Sequence, residues 1–402
     1  MEGKRLLRSL SLKNILSFGN EGVEIELQPL NVLIGPNGSG KSNFLEAIRL
    51  LQAAPRDLTI PISRGGGINE WLWKGKKHTP EARLQAITYD IEDPFAEEDV
   101  RHCLSLASSD QRMVITKESI TQIYEAPKES QDTYSYTRWG AESFGLIYEG
   151  NSFKTVRLNI DSRKLKTNQS ILAQSSEFGR FIETGTLSRL YNGIVFYTDT
   201  QFGRLTPARL PQPTDLEQTY LFEDASNLAL VFNDLQNRPG VMRTIIEKLK
   251  LFNDRIENII TRVSFGTVQL YFEEKGLEQT IPATRLSDGT LRYLSLLAVL
   301  CHPEPPPLVC IEEPELGMHP DIIPTIAELL IEASQRTQLI ITTHSDLLVS
   351  KMRDVPEAII VCEREDSGTT MRRLTASELE GWPEGYSLGD LWLKGAIGGT
   401  RW

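Results

Sequence analysis

Two stretches of this chain carry side chains suited to phosphoryl transfer. The first, Gly35-Pro36-Asn37-Gly38-Ser39-Gly40-Lys41-Ser42, fits the G-x-x-x-x-G-K-[ST] pattern of a phosphate-binding loop. In that pattern the backbone N–H groups of Asn37, Gly38, Ser39 and Gly40 turn inward on the phosphates. Gly38 and Gly40 leave no Cβ in the way. Lys41 reaches the β- and γ-phosphates, and the Ser42 hydroxyl ligates Mg²⁺. The second stretch is Glu312-Glu313. Glu312 is placed to hold Mg²⁺ through water, and Glu313 to orient or deprotonate the attacking water. Phosphoryl transfer asks little more of a protein than positioning and charge neutralisation.

The flanking elements agree with both assignments. Leu30–Ile34 is a short apolar run and reads as a buried strand. Phe44–Leu51 has a helical pattern, so the phosphates would meet a helix N-terminus. Pro303–Pro307 is a proline-rich break before the apolar strand Leu308–Ile311, whose C-terminal end carries the two carboxylates. Ligands of α/β sheets bind at strand C-termini. His344 ends another apolar strand, Leu339–Thr343, with a helix expected over Asp321–Ser334 between them. Strand–helix–strand puts both strand ends on one rim, where His344 could report the γ-phosphate.

The order of these pieces resembles ABC-type ATPases of the RecF/SMC/OLD kind. Leu286-Ser287-Asp288-Gly289-Thr290 stands where that family carries its LSGGQ signature. Ser287 and Gly289 keep the pattern, while Asp288 and Thr290 depart from it. Asp288 brings a negative charge towards a polyphosphate. The resemblance implies that the signature of one subunit closes on the ATP of another, so the site is composite and the active form is a homodimer or an assembly of dimers. Pro314–Pro320 resembles the family's D-loop. Leu10–Asn14 with Ser17-Phe18 resembles its N-terminal strand and turn, although Phe18 reads better as a core aromatic than as an adenine stack. Asp224–Leu230 resembles a helix opening common in these ATPases. No clear Q-loop emerges: Gln85 sits on the apparent strand Arg83–Ile91, and Arg64-Gly65-Gly66-Gly67 could line the site or form a surface loop.

The fold expected is therefore α/β, an ABC-type P-loop ATPase head with a mixed sheet, an antiparallel β-rich lobe and a helical insertion. Residues 1–75 would form its N-terminal half and 281–402 its C-terminal half. Residues 76–225 would form an insertion lobe, and 226–280 a helical segment with return strands. Strands are expected at Leu84–Glu92, Arg112–Thr116, Ile120–Glu125, Thr133–Trp139, Gly145–Glu149 and Thr155–Ile160. Helices are expected at Ser170–Thr184, Asn227–Asn237 and Val241–Val263. Pro207, Pro211 and Pro213 mark a loop, and Thr267–Glu274 and Glu278–Ala283 return as strands. Sustained heptads and internal repeats are absent, which argues against long coiled-coil arms.

Composition narrows the setting. At 402 residues, two or three lobes with substantial cores are expected. No apolar run approaches a membrane span and no leader is evident, which points to a cytoplasmic protein without a membrane partner. Cys103, Cys301, Cys310 and Cys362 lack metal-type spacing and read as reduced thiols. A net charge of −11 disfavours nucleic-acid binding over the whole surface but leaves room for a local patch. Trp71–His78 mixes aromatics with cations, and Arg163–Lys166 is a second cluster. Either could hold single strands, though a solvated loop with buried tryptophans is the plainer reading.

The stretch 345–402 is shorter than a Toprim nuclease domain, so no nuclease is expected here. Its segment Tyr386–Trp392 with Gly395–Trp402 resembles the ending of a group of bacterial ATPases and is expected to dock on the core. The resemblance implies an ATP-driven switch that regulates a separately encoded effector, nuclease-like, in a bacterial defence-type system. The alternative is a RecF-like repair ATPase closing on DNA. A transporter ATPase is disfavoured.

Overall fold

The computed structural model describes residues 3–75, 81–89, 98–124, 133–139, 142–149, 152–157, 166–174, 182–198, 201–379 and 386–399. They form two compact units, one made of 5–194, 357–378 and 397–402, the other of 195–356 and 379–396 with the first four residues.

The first unit holds an eight-stranded antiparallel sheet. Its order is Val23–Glu26, Leu7–Lys13, Glu81–Thr88, Glu98–Ser109, Arg112–Tyr124, Thr133–Trp139, Glu142–Glu149 and Ser152–Arg157. Alternation sends Leu10, Leu12, Leu84, Ala86 and Leu104 to a buried face. A separate set of strands carries the phosphate loop. Leu30–Ile34, buried throughout, pairs in parallel with Ile359–Glu365, which turns back antiparallel as Gly368–Arg373. The helix Lys41–Ala53 follows the loop and buries Phe44, Leu45, Ile48 and Leu51. Phe18 is fully buried and meets Phe44 edge-on, with centroids 6.4 Å apart, so it is a core aromatic.

In the second unit, Leu308–Glu312 and Gln338–Thr342 run parallel, with Glu312 opposite Thr342. The helix Ile323–Ala333 lies between them in sequence. Both strands end at one rim. The helix Asp288–Leu300 is buried almost all round, as its apolar content requires. Gln212–Pro213, Thr267–Glu274 and Ile256–Ser264 form an antiparallel sheet, with Ile281–Pro282 beside Thr267–Glu274.

The structure departs from five of the sequence expectations, and the strand expected at Glu278–Ala283 is only Ile281–Pro282, followed by a 3-10 turn at Ala283–Arg285. The helix expected over Val241–Val263 is two elements, a helix Pro239–Phe252 and a strand Ile256–Ser264. Asn253 breaks the helix with an extended backbone (φ −150°), and the β-branched run after it pairs as a strand. A strand at Glu98–Ser109 was not expected at all. The two runs Arg112–Thr116 and Ile120–Glu125 form one strand, Arg112–Tyr124, with Glu125 outside the described residues. Ser170–Thr184 contains a short helix Ile171–Gln174 and the start of another, Ile182–Asn192; residues 175–181 lie outside the described residues. So do 158–160 of the strand expected at Thr155–Ile160. Among the described residues, no helix is long and apolar enough to cross a membrane.

Candidate functional site

The phosphate loop is shaped by close approaches. Gly35, Gly38 and Gly40 all take positive φ. A Cβ on Gly35 would lie 2.2 Å from the Cys362 carbonyl oxygen, and one on Gly40 would lie 2.3 Å from Thr369 Oγ1 and 2.7 Å from Ser17 Oγ. At Gly38 the space is open, and only the backbone (φ +80°) favours glycine. Lys41 is buried, and its ammonium donates to the carbonyls of Gly35 (2.8 Å) and Pro36 (3.1 Å), which folds its side chain back over the loop. Ser42 is exposed in the first turn of a helix whose Gly40 N-cap supplies no side-chain bond. Asn37 and Gly38 are exposed, whereas Ser39 is buried and its hydroxyl has no partner among the described residues. The Ser39 N–H donates to the Pro36 carbonyl (3.2 Å), and the loop runs into a helix N-terminus, a setting that suits an anion.

Two remote segments brace it. Thr369 Oγ1 donates to the Ser39 carbonyl (3.0 Å) and lies 2.7 Å from Ser17 Oγ, whose hydroxyl can donate to it, and the Arg364 guanidinium donates to the Ser17 carbonyl (3.0 Å). Beside the loop opens a cavity of about 820 Å³, lined among others by Gly38, Asn43, Leu72, Trp73, Arg364 and Asp366. Arg364 sits over the Trp73 ring, 5.1 Å from its centroid.

The second unit positions the acidic pair. Glu313 follows the strand Leu308–Glu312 and takes φ +45°, a left-handed backbone that a β-carbon makes costly. Its N–H donates to the Thr342 carbonyl (2.9 Å). The Glu313 carboxylate lies 3.6 Å from His344 Nε2, with both side chains about one-third exposed. Glu312 is half-buried at the strand end and lines a small cleft of about 40 Å³ with Glu313, Arg292 and Phe202. Glu315 Oε1 accepts from Thr343 Oγ1 (2.6 Å) and from the His344 backbone N–H (2.9 Å). A carboxylate, an imidazole within reach of it and a braced backbone form an arrangement that can orient water and sense a phosphoryl group.

The signature begins the helix Asp288–Leu300. Ser287 is its N-cap and accepts from the Thr290 N–H (3.1 Å), with Thr290 Oγ1 2.7 Å away. Leu286 is buried. Gly289 packs on the D-loop, where a Cβ would lie 3.3 Å from the Gly317 carbonyl oxygen. Asp288 bonds the guanidinium of Arg209, a buried side chain that also donates to the carbonyls of Leu286, Ala283 (3.4 Å) and Gly203 (2.9 Å). The negative charge at Asp288 therefore has its own counter-ion.

The structure thus gathers Asn37, Gly38, Ser39, Gly40, Lys41 and Ser42 in one unit. It gathers Leu286–Thr290, Glu312, Glu313 and His344 in the other. Arg209 was missed because it stands in the proline-marked loop; its neighbours Pro207 and Pro211 gave the only signal there. Thr369 was missed as a site residue for want of any motif, and Trp73 was noted only within the Trp71–His78 cluster, as a candidate for single strands rather than for a nucleotide.

Gln85 accepts from Cys103 Sγ (3.3 Å) inside the antiparallel sheet. Gly65 packs on Trp71, and none of Gly65, Gly66 and Gly67 lines the large cavity. Trp71 is buried, and Lys74 pairs with Glu70; Lys76, Lys77 and His78 lie outside the described residues, as do 163–165. The helix Leu388–Leu393 docks as expected, with the Ser387 hydroxyl 3.0 Å from Ser350 Oγ and Gly389 against the Asp346 carbonyl.

Among the described residues no three His, Cys, Asp or Glu side chains cluster as a metal site. Mg²⁺ held chiefly by phosphates and water needs no such cluster, and an exposed Ser42 and a half-buried Glu312 suit that role.

A family model described as "AAA domain, putative AbiEii toxin, Type IV TA system" matches residues 30–90 and 151–350. The Old nuclease of Escherichia phage P2 is 22% identical over 397 residues, covering 92% of this chain and 61% of that protein. Endonuclease GajA of Bacillus cereus (strain VD045) is 23% identical over 364 residues, covering 86% of this chain and 56% of that protein. The chain thus spans less than two thirds of the length of either relative. A solved Smc head domain derived from Pyrococcus furiosus, bound to the C-terminal domain of ScpA, shares its fold at a TM-score of 0.56 and 15% identity, over 93% of this chain and 97% of that one.

Proposed function

The chain belongs to this AAA-domain family and is a P-loop ATPase of the ABC type, like RecF, SMC and OLD proteins, and we propose that it is a dimeric, ATP-hydrolysing switch that regulates a separately encoded, nuclease-like effector in a bacterial defence-type system. ATP with Mg²⁺ is held by Lys41 and Ser42, with Glu312 on the metal through water. The adenosine lies in the cavity at Trp73. A second copy brings Ser287 and Gly289 to the phosphates. Glu313 activates water, and His344 senses the γ-phosphate.

The observation that carries the reading is the Glu313–His344 pair, 3.6 Å apart at a parallel-strand rim. The Arg209–Asp288 pair supports the composite site, because it removes the electrostatic objection to a signature with an acidic residue. A nuclease is the effector that the relatives' names suggest.

The test is affinity purification of Glu313→Gln from its native host with ATP and Mg²⁺, after nuclease treatment. This substitution keeps the shape, removes the base and should trap the closed state. A stoichiometric nuclease-like protein, lost when Lys41→Ala is added, is the expected result. A monomer that hydrolyses ATP at a per-subunit rate independent of concentration would overturn the composite site.

A second reading, closure on DNA, has one observation in its favour. Lys13, Arg83 and Lys117 fall in one cross-strand row of the antiparallel sheet, joined through Ser105. Such a row offers cations to a phosphate backbone, although Arg83 already pairs with Glu81 (3.7 Å). ATP-dependent, salt-sensitive DNA binding lost in Arg83→Glu/Lys117→Glu would favour it.

A further inference from the structure

The turn after Glu313 carries a carboxylate to which the hydrolytic scheme assigns no role. Glu315 Oε1 accepts from Thr343 Oγ1 at 2.6 Å and from the His344 N–H at 2.9 Å. Thr343 Oγ1 in turn accepts from the Ser345 N–H at 3.0 Å. One oxygen therefore fixes the backbone on both sides of the His344 side chain. The other oxygen, Oε2, is buried with no hydrogen-bond partner among the described residues. A buried, unpaired carboxylate oxygen is costly, so stability alone is a poor reason for a glutamate here.

The same turn reaches the signature. The Leu316 N–H donates to the Glu313 carbonyl (2.9 Å), and the Met318 N–H donates to the Glu315 carbonyl (3.0 Å). Between them Gly317 takes φ +74° and turns its carbonyl towards Gly289, where a Cβ would stand 3.3 Å away. Signature, turn, Glu315 and sensor are thus in continuous contact inside one unit.

We propose that Glu315 is a positioning residue for ATP hydrolysis: its carboxylate ties His344 to the turn that backs the signature. Pressure on the signature from a bound second copy moves Gly317, Glu315 follows, and His344, already 3.6 Å from Glu313, is turned to meet the γ-phosphate. The proposal rests on the reading of Glu313 and His344 as the hydrolytic pair. Positioning errors of about 1 Å cost about a hundredfold in rate, so a single anchoring oxygen matters.

The test is steady-state ATP hydrolysis by Glu315→Ala, Glu315→Gln and Thr343→Val in the full chain, with Glu313→Gln alongside. Glu315→Ala should lose about twentyfold or more in kcat, while KM for ATP stays within about twofold. Glu315→Gln keeps an acceptor at Oε1 and should recover to within about threefold of wild type. Thr343→Val, which removes one of the two donors, should fall between them. A purely structural residue would lower the melting temperature without this split or this rescue. Wild-type kcat in Glu315→Ala, or a Gln variant as slow as the Ala variant, overturns the proposal. If Glu315→Ala does not fold, wild-type kcat in Thr343→Val overturns it equally. Should Glu313→Gln hydrolyse at the wild-type rate, the hydrolytic reading itself fails and the proposal goes with it. A dead Glu313→Gln beside an unimpaired Glu315→Ala removes the proposal alone.

Discussion

Arg209 closes on Asp288, the position where the signature departs most from the family's pattern. The arginine side chain is 5% exposed and the aspartate 60%. The cation is therefore built into the fold, while the carboxylate stands at its surface. Three carbonyls, those of Gly203, Ala283 and Leu286, share the guanidinium, so it also shapes the chain entering the signature helix.

That asymmetry predicts unequal mutants. Arg209→Ala leaves three carbonyls and a carboxylate without their donor and should cost roughly 2–3 kcal/mol, the range for charge-assisted bonds. ATP hydrolysis should fall at least about tenfold, because the signature entry loosens. Asp288→Asn keeps an acceptor at an exposed site and should stay within about threefold of wild type. Calorimetric melts and steady-state rates of both variants decide it; equal losses would mean that the aspartate, not the arginine, organises the signature.

Two loop glycines should respond differently to the same methyl group. Gly38→Ala meets open space and bears only the left-handed backbone, a cost of about 1 kcal/mol. Gly40→Ala drives a carbon into Thr369 Oγ1 and Ser17 Oγ, the contacts that brace the loop. Its melting temperature should drop by several degrees more than that of Gly38→Ala. Similar melts for the two would show that the brace yields freely.

The motifs were legible because each packs its chemistry into a few consecutive residues with a strand before and a helix after. What the sequence hid was held by long-range pairing. The strand Glu98–Ser109 escaped notice because its buried face mixes Leu104 and Leu106 with His102, and its other face carries serines and Cys103. His102 is tolerable there only because buried Glu118 and Tyr191 lie against it, at 3.2 and 3.3 Å. The overlong helix Val241–Val263 arose because Ile245, Leu249, Phe252, Ile256 and Ile259 continue a helical spacing past the true end. Arg209 and Thr369 carry no motif, and Trp73 belongs to a cluster that suggested nucleic acid instead; each became a site residue only through contacts made by the fold.

His302 should make stability pH-dependent. It is almost fully buried, Nδ1 accepts from the Glu304 N–H (3.2 Å), and Nε2 has no hydrogen-bond partner among the described residues. Burial pushes its pKa below the ordinary 6.5. The folded state thus keeps it neutral where the unfolded chain would bind a proton. Its contribution is intact above pH 6.5 and is lost as the pH falls through the depressed value. Wild type should therefore lose melting temperature between pH 7 and 5 more steeply than His302→Asn, which has no proton to take up. Parallel slopes in pH-dependent melts would place the sensitivity elsewhere.

Trp73 should report the nucleotide. Its indole lies close to Gly19 and Gly75, has Arg364 above one face and lines the large cavity at the phosphate loop. A base entering that cavity would compete with or extend the Arg364–Trp73 stack, and either event changes the indole's surroundings. Base–aromatic stacking is worth about 1–3 kcal/mol, so Trp73→Ala should weaken ATP binding by about tenfold or more. Trp73→Phe keeps a ring and should bind within about threefold of wild type while abolishing most of the ATP-dependent fluorescence change. Trp71 is buried and should contribute a constant background. Lys41→Ala should remove both binding and signal, since the phosphates lose their cation. If Trp73→Phe keeps the full ATP-dependent signal, the base binds away from this cavity, and the Arg364 stack serves only to brace Ser17 and, through Thr369, the loop.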